Sequence, residues 1–97
     1  MAAYVIAEIE ITDPAGYKPY TELVPATIAL YGGRFLVRGG TAEVLEGDWP
    51  QRRPVIIEFP SMEAARAWWD SPEYAKPKSL RRAASNGRLV LLEGFDG

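Results

Sequence analysis

The sequence predicts an α+β fold, one four-stranded antiparallel sheet with its helical regions on a single face. Three observations predict it. Apolar runs of strand length recur at 3–11, 34–38, 54–59 and 88–93, and the first alternates with a period of two. Helix-start chemistry, Asp13-Pro14 after the first run and Pro60-Ser61 and Ser71-Pro72 after the third, separates them into two groups. Glycine pairs and Asn86-Gly87 punctuate the rest, so the order is β-α-β-β-α-β in one domain spanning residues 1–97.

Each element has its own reason. Residues 3–11, AYVIAEIEI, put Val5, Ala7, Ile9 and Ile11 on one side and Tyr4, Ile6, Glu8 and Glu10 on the other. Asp13 is an N-cap and Pro14 suits the first helical position. Pro19 and Pro25 each lack an N–H and crowd the preceding turn, so the segment through Tyr31 is expected to be a broken helix with a kink or restart near Val24-Pro25. Gly32-Gly33 closes it. Residues 34–38, RFLVR, form the second strand. Gly39-Gly40 marks a bulge or bend, with TAEVLEGDW as a candidate extension of that strand in altered register. PVIIEF, 54–59, is the third strand.

Pro60-Ser61 then introduces a helix in which Met62, Ala65 and Trp69 share a stripe, with Glu63, Arg66 and Asp70 opposite. Ser71-Pro72-Glu73 starts another, an acid lying near the positive end of the helix dipole. Pro77 is expected to interrupt this helix, residues 79–85 to continue it, and Asn86-Gly87 to end it before the last strand, RLVLLE.

This order is the ferredoxin-like split βαβ arrangement, with strands one and three central, two beside three and four beside one. One sheet face is left uncovered. VIIEF and LVLL are apolar on both sides, so that face presents branched aliphatics to water, and such a patch marks an interface. A homodimer through facing sheets is therefore expected, with a cavity between or beside them.

Composition narrows the chemistry. The chain of 97 residues is 47% hydrophobic and 25% charged, as for an ordinary globular domain. It has no cysteine and no histidine, which excludes thiolate chemistry and removes the commonest general base and metal ligand. No metal site and no cofactor are expected. A net charge of -2 with scattered basic residues gives no case for nucleic acid; the cluster Lys76, Lys78, Arg81 and Arg82 reads as a solvated helix face. Without a basic and apolar leader or a membrane-length apolar run, a cytoplasmic protein with no membrane partner is expected.

Three ordered segments, GGRFLVRGG at 32–40, IEFPS at 57–61 and WWDSPEY at 68–74, resemble the domain-of-unknown-function family 1330 over essentially the whole chain. The resemblance implies the dimeric α/β-barrel superfamily, a ferredoxin-like protomer paired sheet to sheet. The family has no established reaction. Its superfamily includes cofactor-free monooxygenases, lactone isomerases and haem enzymes, so the fold alone fixes no chemistry. The family's aromatic pair usually ends in tyrosine; Trp69 stands there in this chain and removes a phenolic hydroxyl. Haem lacks its common histidine ligand.

Candidate site residues each have two readings. Arg38 and Glu58, at the ends of neighbouring strands, are expected to meet across the hairpin. They would hold an anionic substrate, with Glu58 or Glu8 as base, or form a structural ion pair at the cavity rim; the second is preferred. Tyr17 and Tyr20 share a helix face and suit core or rim positions, Tyr20 also a ligand wall. Tyr74, near a helix start, is the best-placed phenol for a ligand or for catalysis, although packing explains it equally well. Trp68 and Trp69 read as core over ligand wall, with Trp69 nearer the helix's apolar axis. The expected function is a small ligand-binding or accessory dimer, with Arg38 suited to an anionic ligand. The alternatives are a cofactor-independent monooxygenase or isomerase and a purely structural dimer.

Overall fold

Every predicted strand forms, and the computed structural model, which describes residues 1–50 and 52–96, arranges them around the first. β1 (Ala3–Ile11) is flanked by β3 (Arg53–Phe59) and β4 (Ser85–Glu93), and β2 (Arg34–Arg38) lies outside β3, all antiparallel. The order β2-β3-β1-β4 is that of the α+β, ferredoxin-like arrangement. Three helices, α1 (Pro14–Leu30), α2 (Met62–Trp69) and α3 (Pro72–Ala84), complete it.

Their starts follow the sequence. Asp13 accepts from the Gly16 N–H at 3.2 Å, and the Ser61 and Ser71 hydroxyls accept from Ala64 and Tyr74 N–H at 3.1 Å. The alternation of β1 sets the layers: Ala3, Val5, Ala7 and Ile9 are buried with Val55, Ile57 and Phe59, while Tyr4, Ile6 and Glu8 stay partly exposed on the other face. Among the described residues, no helix is long and apolar enough to cross a membrane.

The helix interiors differ from the sequence reading. α1 runs unbroken through Pro19 and Pro25, and α3 through Pro77. A proline removes one hydrogen bond and crowds one turn, but α1 buries Tyr17, Tyr20, Val24, Thr27 and Ile28, and that packing outweighs the loss. Asn86-Gly87 does not end α3. Both lie in β4, opposite Glu10 and Ile9. The helix stops at Ala84, whose carbonyl accepts from the Thr12 and Asp13 N–H groups at 2.9 and 3.0 Å, a tertiary stop joined by the Ser85 hydroxyl, which donates to the Arg81 carbonyl at 2.5 Å. Nor does TAEVLEGDW extend β2: Gly39 takes φ 73°, its N–H donates to the Pro54 carbonyl at 2.7 Å, and the chain then leaves the sheet.

Aromatics fill the space between sheet and helices. Trp68 is fully buried, stacks on Tyr74 with ring centroids 4.1 Å apart, and donates from Nε1 to the Thr27 hydroxyl at 3.1 Å. Trp69 is only half-buried, so the expected order of the two tryptophans is reversed. The cause is α3, which turns back immediately after α2 and closes Tyr74 over Trp68 rather than over its neighbour.

Candidate functional site

β2 and β3 pair out of step, and that irregularity builds the site. Arg34 pairs with Glu58 and Phe35 with Ile57, but Val37 pairs with Ile56, leaving Leu36 as an extra residue. Such a bulge reverses the side-chain alternation beyond it. Arg34 faces outward with Glu58, whereas Arg38, four residues later, is turned to the helical side opposite Val55. The expected Arg38–Glu58 pair does not form, because the strand register already places Arg34 opposite Glu58, and Arg34 pairs with it at 2.9 Å.

Pro25 completes the placement of Arg38. Having no N–H, it leaves the Thr21 carbonyl of α1 without its usual helical donor. Arg38 Nη2 donates to that carbonyl at 2.6 Å, and its guanidinium lies 4.5 Å from the Phe35 ring centroid. Proline and bulge together seat one arginine against α1.

Beside it, between α1 and the sheet, is a narrow slot of about 20 Å³, lined by Tyr17, Tyr20, Phe35, Arg38 and Arg53 over a floor that includes Ala7 and Ile9. This is the space of roughly one water molecule. Arg53 Nε is buried there with no hydrogen-bond partner among the described residues. Gly39 admits it, because a Cβ at that position would overlap the Arg53 guanidinium. Neither Arg38 nor Arg53 has a carboxylate within ion-pair distance among the described residues, and none lines the slot.

The phenols behind the slot form a chain. Tyr20 and Tyr74 hydroxyls are 3.3 Å apart, and Arg81 Nε donates to the Tyr74 hydroxyl at 3.4 Å. Desolvation pushes the Tyr17 and Tyr20 pKa values up, and the neighbouring Tyr74 adds to both. Arg53, Arg81 and Arg38 oppose the shift at Tyr17, and Arg81 opposes it at Tyr20, without cancelling it. Both phenols thus remain protonated at neutral pH and act as hydrogen-bond donors, not as bases.

The other residues singled out in the sequence lie elsewhere. Glu58 accepts from Arg34 and, at 3.3 Å, from the Tyr4 hydroxyl on the open face. Glu8 accepts from Arg88 Nε at 2.6 Å, with Arg52 at 3.8 Å, on that same face. Tyr74 is fully buried and sits one hydrogen bond behind the slot. Trp69 borders a different cavity. Arg38 and Tyr20 do line the slot. Sequence reasoning missed Arg53, although the alternation Phe59, Ile57, Val55 carried one step further back puts residue 53 on the inner face. It also took Arg81 for a solvated residue, and Arg81 is 4% exposed.

The comparisons agree with this architecture. The fold is shared, over 99% of this chain and 84% of the other, with a protein of unknown function from Rhodopseudomonas palustris at 20% identity and TM-score 0.78. A dimeric ferredoxin-like protein of unknown function from Jannaschia sp. CCS1 matches at 12% identity and TM-score 0.72, over 97% of this chain and all of that one (100%). SnoaB, a cofactor-independent oxygenase from Streptomyces nogalater, matches at 13% identity and TM-score 0.58, over 99% and 95%. At these identities the likeness is one of fold. The class is thus a ferredoxin-like α+β domain. Within it, residues 2–95 match the domain of unknown function DUF1330, and the chain belongs to that family. No curated protein matches it.

Proposed function

We propose that this protein is a small homodimer that binds a small organic carboxylate, its anionic head entering the slot beneath α1. The observation that carries the reading is that Arg38 and Arg53 both line a slot with no carboxylate among the described residues, the Arg53 Nε being buried without a partner among them. A buried donor left unsatisfied costs about 1–3 kcal/mol, more when charged, and an acceptor from a ligand removes that cost. The slot has room for about one carboxylate oxygen, and the rest of the ligand would lie outward against Phe35 and the stems of Arg38 and Arg53.

Binding is favoured over catalysis because the phenols facing the slot are held protonated and the carboxylates that could act as base, Glu8 and Glu58, are engaged on the opposite face. The dimer reading rests on that open face, where Val90 is 51% and Leu92 49% exposed beside Ile6 and Ile56. The Jannaschia neighbour is described as dimeric.

Thermal unfolding of the protein with acetate, pyruvate and benzoate tests the ligand. A rise in midpoint that Arg53→Gln abolishes is expected. An unchanged rise in Arg53→Gln, or no rise with any of the three, overturns the slot as the site. Light scattering at micromolar concentration tests the assembly: twice the 10.7 kDa chain mass is expected, and a monomer refutes the dimer.

A further inference from the structure

A second cavity, of about 460 Å³, opens where the C-terminal turn of α3 meets the start of β4, and none of the tyrosines lines it. It is open to solvent rather than an enclosed cleft, so its charge and not its volume sets it apart. Trp69, Arg81, Arg82, Ser85 and Asn86 form most of its wall, with Arg52 at the edge.

Its charges are lopsided. Arg81 is 4% exposed, and the one hydrogen bond its guanidinium makes among the described residues is from Nε to Tyr74. No described carboxylate lies within ion-pair distance of Arg81 or Arg82. Of the acids on β1, Glu8 is held by Arg88 and Arg52, and Glu10 accepts from the Asn86 amide at 3.3 Å. Lys78 Nζ, 4.3 Å from the Trp69 ring centroid, donates to the Trp69 carbonyl at 2.7 Å, and Arg82 lies 5.7 Å from the same ring. The negative end of α3 favours Arg81 and Arg82 by about 0.3–1 kcal/mol each. Burying a guanidinium without a counter-ion costs several kcal/mol, so the helix end alone does not offset it.

We infer that this cavity is a binding site for an aromatic oxyanion, a ring carrying a carboxylate or phosphate. The anionic group would accept from Arg81 and Arg82, with the second N–H of the Asn86 amide as a further donor while the Ser85 hydroxyl stays on the Arg81 carbonyl, and the ring would lie against the open part of Trp69. An arginine fork matches either oxyanion, and Trp69, half-buried rather than core, supplies a flat apolar surface beside it.

The test follows the three tryptophan indole N–H resonances, assigned with Trp49→Phe and Trp69→Phe, while phenyl phosphate, benzoate, inorganic phosphate or benzyl alcohol is added to the folded protein. The expected result is a saturable shift of the Trp69 resonance with phenyl phosphate or benzoate, weakened about tenfold by Arg82→Gln and left unchanged by Arg38→Ala. Arg82 is exposed, so its replacement leaves the fold intact. Equal shifts with benzyl alcohol would show apolar contact alone, and inorganic phosphate binding as tightly as the aryl compounds would show an adventitious ion only; either overturns the inference. So would loss of the shift in Arg38→Ala, which would assign the ligand to the slot and leave the proposed function standing. Failure of all four probes to move Trp69 overturns it as well.

Discussion

The two faces of the sheet handle charge in opposite ways. On the open face Glu58 accepts from Arg34 and Tyr4, and Glu8 accepts from Arg88 with Arg52 nearby. On the helical face Arg38, Arg53 and Arg81 gather around tyrosines without a carboxylate among the described residues. An exposed pair needs little compensation, because water screens both members. Guanidiniums drawn beneath helices need an anion or dipoles to replace their hydration. Paired charge on the open face is thus compatible with apposition to another surface, and unpaired charge on the helical face is the feature on which the proposed ligand site rests.

The largest expected effect breaks the helical face itself. Trp68 touches Phe59, Tyr74 and Thr27 and is 0% exposed, whereas Val90 on the open face is 51% exposed. Trp68→Ala should destabilise the fold by about 3–5 kcal/mol in urea unfolding, since it leaves a cavity and an orphaned Thr27 contact. Val90→Ala, on the face proposed to meet a second copy, should change it by less than about 1.5 kcal/mol. Equal effects would contradict the assignment of Trp68 as the core tryptophan.

Strands, helix starts and strand order were legible because they rest on local chemistry: alternation in AYVIAEIEI, caps at Asp13, Ser61 and Ser71. What was not legible depends on partners distant in sequence. The end of α3 is set by the Thr12 and Asp13 N–H groups, and the burial of Trp68 by the return of α3. Half of the slot was in view as Arg38 and Tyr20. The face that Arg38 takes was hidden by one extra residue, Leu36, because a single bulge inverts every position beyond it in a period-two reading, whereas Arg53 was within reach of the alternation of β3 and was overlooked. Pro25 was read as a helix breaker, when its missing N–H frees the carbonyl that seats Arg38.

High pH offers a second probe of the helical face. Tyr17 and Tyr20 hold their protons more tightly when folded, because burial disfavours the phenolate. An unfolded phenol ionises near pH 10, so the stability this burial confers is complete below that value and is lost as pH rises from there towards the folded pKa values. Each retained proton contributes a slope of about 1.4 kcal/mol per pH unit in that window. Tyr20→Phe should make the decline of urea-unfolding stability between pH 10 and 11 shallower by about that amount. An unchanged slope would mean that Tyr20 ionises freely in the folded chain.

The smallest effect sharpens the comparison most, because it sets two arginines of one strand against each other. Without the bulge, Arg34 and Arg38 would share a face. Arg34 is 71% exposed at its side chain and its pair with Glu58 is solvated, so Arg34→Gln should cost less than about 1 kcal/mol. It should also leave any carboxylate-dependent rise in unfolding temperature intact. Arg38→Gln should reduce that rise, since it removes a charge lining the slot together with the seat on the Thr21 carbonyl. If Arg34→Gln reduces it equally, the two side chains act on the same face, and the re-aiming of Arg38 by Leu36 is wrong.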